Sequence, residues 1–84
     1  MTDADRISAW ANVPHGLAEL VVMRASQRGL RLRSLRSQLR HPDLVAARHA
    51  IAKEARRLEY SYPVIGRALN RDHTSIMHLL RTRG

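Results

Sequence analysis

Toward the C-terminus four polar residues follow one another, Asp72, His73, Thr74 and Ser75, and behind them Ile76, Leu79 and Leu80 recur at helical spacing. On the first turn of a helix, side chains of these types find partners on the edges of DNA base pairs. A carboxylate accepts from the exocyclic amine of cytosine, an imidazole meets purine N7 or a phosphate, and a threonine methyl packs on the thymine methyl. Asp72 has a plainer use as well, as the N-cap of that helix. Arg71 stands just before it, where its guanidinium and the adjacent backbone amides suit a phosphate. Arg67, Arg81, Arg48, Arg36 and Arg57 are further candidates for the DNA backbone.

The charge distribution points the same way. The 84 residues carry 15 basic and 7 acidic side chains, a formal charge of +8. Residues 1–23 hold one basic residue, Arg6, against Asp3, Asp5 and Glu19, whereas residues 24–57 hold ten against Asp43 and Glu54. Fourteen of the basic residues are arginine, Lys53 being the exception. Arginine presents a planar fork that matches phosphate oxygens and guanine edges. Such asymmetry favours nucleic acid over a membrane surface or plain solubility.

Other chemistry is poorly served. The absence of cysteine excludes disulfides, thiolate ligands and cysteine nucleophiles. The histidines (His15, His41, His49, His73 and His78) show no metal-ligand spacing, and Ser61 and His73 lack the context of a nucleophile pair. No enzyme activity, cofactor or metal is expected. Apolar runs fall short of a membrane span, and the acidic opening Met1-Thr2-Asp3-Ala4-Asp5 does not resemble a signal peptide, so a cytoplasmic, nucleoid-associated protein is expected.

The elements needed to position these groups read as helices throughout. Thr2 or Asp3 caps a short turn carrying Ile7 and Trp10, ended by Pro14, so residues 1–14 read as an arm or short turn ahead of one domain over 15–84. Leu17, Leu20, Val21 and Ala25 predict a helix that Gly29 stops. Leu32, Leu35 and Leu39 share a face, with Arg31, Arg33, Arg36 and Arg40 turned elsewhere. After His41-Pro42, Asp43 is expected to cap a long helix from about Leu44 to Leu58, with Leu44, Ala47, Ile51, Ala55 and Leu58 inward and Arg48, Lys53, Arg56 and Arg57 in solvent. Ser61 caps a short helix that tolerates Pro63 in its first turn. Tyr62, Ile65 and Leu69 form its inner face, and Gly66 admits a close neighbour. Asn70 suits a left-handed turn, and Asp72 opens the last helix. Two short helices around a tight turn make a helix-turn-helix.

The run Tyr62-Pro63-Val64-Ile65-Gly66-Arg67-Ala68-Leu69, followed by Asn70-Arg71-Asp72-His73-Thr74-Ser75-Ile76, resembles the C-terminal DNA-binding domain of the bacterial replication initiator DnaA. That family shows a Leu-Pro-Glu-Ile-Gly run, a short turn, then Arg-Asp-His-Thr-Thr-Val. The likeness extends over roughly Leu17 to Arg81. It implies an all-α fold, a small helical bundle containing the helix-turn-helix, that binds a short, asymmetric, A·T-rich box. It further implies base contacts from Asp72, His73, Thr74 and Ser75, with Arg71 on the backbone. The family also inserts an arginine into the minor groove from the loop before the long helix, a role that falls within residues 40–42 and is assigned to Arg40. The departures are a turn one residue shorter at Asn70, Ser75 in place of the second threonine, and Val45-Ala46-Ala47-Arg48 where the family opens its long helix Arg-Pro-Arg-Gln. No GxxxxGK[ST] motif occurs, so the chain reads as a freestanding domain or an excised piece and not as an ATP-driven initiator.

The expected function is sequence-specific binding of double-stranded DNA, on a site like the DnaA box, in replication or transcription control. A monomer is favoured. The alternative is a basic adaptor that holds an acidic protein partner, anchored through Ile7 and Trp10. RNA binding ranks lower, since only Trp10, Tyr60 and Tyr62 are available to stack bases.

Overall fold

The computed structural model describes residues 2–83, and every regular element among them is helical. The order is α1 (Asp3–Ala11), α2 (His15–Gln27), α3 (Leu32–Leu35), α4 (Pro42–Arg57), α5 (Tyr62–Leu69) and α6 (His73–Arg83). The all-α class and the helix-turn-helix expected from the sequence are both present.

The N-terminal segment is more ordered than its composition suggested. Thr2 and Asp5 form a reciprocal capping box, each side chain accepting from the other's backbone N–H at 3.1 Å. Asn12 ends α1 in the left-handed conformation at φ 55°. Ala4, Ile7 and Ala11 are buried, and the helix packs on α2 and α5. Where an arm or short turn was expected, a docked helix therefore stands. Ile7 is core at 2% exposure and so unavailable as an anchor for a partner, whereas Trp10 is 74% exposed.

α2 ends as expected. Gly29 adopts φ 67° and the Leu30 N–H returns to the Ala25 carbonyl at 2.9 Å. α3 is a single turn that stops at Leu35, which leaves Leu39 59% exposed instead of on a packed face. α4 starts two residues earlier than the apolar pattern indicated. Pro42 takes its first position, and His41 rather than Asp43 is the cap, its Nδ1 accepting from the Asp43 N–H at 3.3 Å. Glu59, at φ 69°, follows the end of α4. Arg24 of α2 grips Glu54 of α4 through two parallel bonds of 2.9 and 2.8 Å.

Leu17, Val21, Leu35, Ile51, Ile65 and Leu69 are fully buried and make the centre of the core. Ala18, Ala47, Ala52, Ala55 and Ala68 are buried beside them. Side chains this small let helix axes approach closely, which compensates for the scarcity of aromatic residues. α2 and α4 form the floor on which α5 and α6 are seated.

Candidate nucleic-acid interface

The helix-turn-helix is set by three local devices. Ser61 caps α5 by accepting from the Val64 N–H at 3.4 Å. Asn70 turns the chain at φ 57°, and the Arg71 N–H reaches back to the Gly66 carbonyl at 2.7 Å. Gly66 lies directly under the turn, where a Cβ would run into the Arg71 carbonyl oxygen and crowd the His73 amide. Glycine is thus needed here for space, as the sequence indicated. α6 begins at His73, with Asp72 just ahead of it accepting from the Thr74 N–H at 3.5 Å. The capping use of Asp72 is therefore present. His73 Nδ1 stands 3.1 Å from the same carboxylate.

Beside the start of α6 runs an open cleft of about 600 Å³. Its walls include Arg40 from the α3–α4 loop, Arg71 from the turn, and Thr74, Ser75 and His78 from α6. The structure thus brings Arg40, Arg71, Thr74 and Ser75 onto one concave surface. Asp72 and His73 lie outside that lining, exposed at the head of the helix. His78 was not singled out by sequence, although its spacing of four from Thr74 puts both on one side of α6.

The remaining arginines are placed differently from expectation. Arg48, expected in solvent on the DNA backbone, is instead buried at 4% exposure on the inner wall of the cleft. Its guanidinium donates to the carbonyls of Leu35 at 2.8 Å, Leu39 at 2.7 Å, Ser37 at 3.0 Å and Ser34 at 3.2 Å. Burial foremost, and the nearby Arg71 charge second, pull its pKa down, although arginine stays protonated in proteins. Arg36 donates to the Ala68 and Arg67 carbonyls, both at 3.0 Å, closing the C-terminal end of α5. Burial lowers its pKa too. Arg67 does the same for α1, reaching Ala11 at 3.1 Å and Asn12 at 3.2 Å. Cations at helix C-termini satisfy orphan carbonyls and oppose the negative end of the dipole. Arg57 is exposed near the far end of α4, about 22 Å along the helix from Pro42, so it is not gathered to the cleft.

Arg71 is half-buried and divided between two tasks. It donates to the Ser37 carbonyl at 2.7 Å and to Gln38 Oε1 at 3.0 Å, which ties the turn to the α3–α4 loop. Ser37 thereby receives two guanidinium groups on one carbonyl. Two cations sharing an acceptor beside Arg40 make a strongly positive surface that favours a phosphate. Among the described residues no group of three His, Asp or Glu side chains is placed to hold a metal ion, and no helix is long and apolar enough to cross a membrane.

Comparison with curated proteins and with solved structures gives no match. A family model described as the bacterial DnaA protein helix-turn-helix matches residues 20–82, which takes in α3 to α5 whole, most of α2, and α6 through residue 82. With the fold, the turn and the polar head of α6 in agreement, the chain belongs to the bacterial DnaA helix-turn-helix family and is a DNA-binding domain.

Proposed function

We propose that the protein reads a short, asymmetric, A·T-rich duplex site of the DnaA-box kind, as a monomer, in control of replication or transcription. The observation that carries this reading is the shared cleft of Arg40, Arg71, Thr74 and Ser75. The head of α6 enters the major groove, with Asp72, His73, Thr74 and Ser75 at the base edges. Arg40, exposed on its loop, reaches the neighbouring minor groove, where a narrow A·T-rich tract concentrates negative potential. Arg71 takes the phosphate between the two. Arg67 and Arg36 keep only their outward N–H groups for the backbone, so their share of affinity is small.

Selection from a pool of random duplexes tests this directly. Enrichment of one short, non-palindromic, A·T-rich motif is the expected outcome. Enrichment of a palindrome contradicts the monomer, and enrichment of nothing contradicts sequence reading. The adaptor alternative retains Trp10 as an exposed contact but has lost Ile7 to the core, which leaves it the weaker reading.

A further inference from the structure

Six residues separate the end of α3 from the start of α4, and no regular backbone pairing runs through them. Yet the segment is held at most of its carbonyls. Arg48, entering from α4, takes those of Ser34, Leu35, Ser37 and Leu39, the last being the peptide unit that leads into Arg40. Arg71 takes Ser37 again, from the turn of the helix-turn-helix. Asn70 Nδ2 donates to the Arg36 carbonyl at 2.9 Å, and the Arg36 side chain returns to α5. The loop is thus fastened on one side to α4 and on the other to the turn that launches α6. Arg48 lies at the centre of this arrangement; it borders the inner wall of the cleft, but it is buried and four of its guanidinium hydrogen bonds go to these carbonyls.

A buried guanidinium is costly unless its donors are satisfied, and Arg48 satisfies them with two carbonyls from the end of α3 and two from the loop. The Ser34 and Ser37 carbonyls accept further bonds, from Ser37 and Arg71, whereas α3 ends at Leu35 and leaves carbonyls there without a next helical turn. Each side therefore fixes the other in one geometry. A flexible loop would let Arg40 wander by several ångströms relative to α6, and simultaneous contact with two grooves would carry the entropy of ordering it.

We infer that Arg48 is a positioning residue for DNA recognition, fixing where Arg40 stands relative to the first turn of α6 and so which base pairs are read together. The inference rests on the proposed minor-groove role of Arg40. Arg48 itself touches no DNA; it acts through the loop.

A double-mutant cycle tests this on the full chain, with a duplex carrying the preferred site and a set of its single base-pair variants. Arg40→Ala is expected to weaken binding about tenfold and to flatten discrimination at the A·T-rich positions only. Arg48→Lys keeps the charge but cannot span four carbonyls. It should reproduce most of that loss at the same base pairs, leave discrimination by α6 intact, and add little in the Arg40→Ala background. Wild-type binding by Arg48→Lys, or losses that multiply in the double variant, overturns the positioning role. An Arg40→Ala variant that binds like wild type removes the minor-groove role itself and the positioning role with it.

Should Arg48→Lys fail to show a cooperative melt, Leu39→Gly loosens the loop from an exposed position without touching the core. Reduced discrimination at the A·T-rich positions is then expected, and unchanged discrimination overturns the proposal. In the wild-type protein the Arg48 Nε–H should exchange slowly with solvent; rapid exchange contradicts the clamp.

Discussion

Thr74 and Ser75 present small polar side chains from an exposed first turn, and their value lies in distinguishing one base pair from another. Thr74→Ala or His73→Ala should cost about 1–3 kcal/mol on the preferred site and little on random duplex. Equal losses on both, measured by fluorescence anisotropy, contradict α6 as the reader. Arg71→Ala should weaken binding to all sequences and reduce the salt slope by about one unit. At this scale residue types and order in the 71–75 run were legible in the sequence, because helix capping and base-edge chemistry favour the same residues. The fate of Arg48 was missed. It falls on the same helical stripe as Leu44, Ile51 and Ala55, all buried, but its charge outweighed its position in the reading. What the sequence did not display was the string of carbonyls waiting across from it, since those come from a loop with no pattern of its own.

Among the elements, the α5–α6 turn is the most constrained. Gly66→Ala places a methyl against the Arg71 carbonyl, so the two helices must move apart or the turn must shift. A loss of about 1–3 kcal/mol in thermal or urea unfolding is expected, with weaker DNA binding even where the protein remains folded. The opposite holds after α4, where Glu59 pays for a left-handed conformation that glycine adopts freely. Glu59→Gly should raise stability by about 0.5 kcal/mol in the same assay, since relief of strain exceeds the added chain entropy. Ser61, Asn70 and Gly66 announce the helix-turn-helix because each answers a local need that does not depend on the rest of the fold. α1 was underread for the opposite reason. Ala4, Ile7 and Ala11 have helical spacing, but a nine-residue helix with two small core residues is stable only once α2 and α5 cover it.

Over the whole molecule, charge is separated along the chain and then reassembled. The weakly acidic residues 1–23 fold against a strongly basic middle, within which Arg24 of α2 is paired with Glu54 of α4. The hydrogen bond from Arg24 holds the Glu54 carboxyl below its ordinary value of 4.5, so the pair adds stability above that value and loses it as the pH falls through the lowered pKa. Glu54→Gln should therefore melt lower than wild type at neutral pH, with the difference vanishing in acid; a difference independent of pH contradicts this. The measurement closest to the central claim compares binding to a DnaA-type box and to a scrambled duplex of equal length at two salt concentrations. The account predicts a clear preference for the box that persists at the higher salt, because base contacts survive when phosphate contacts are screened. Equal affinities that fall together as salt rises would contradict it.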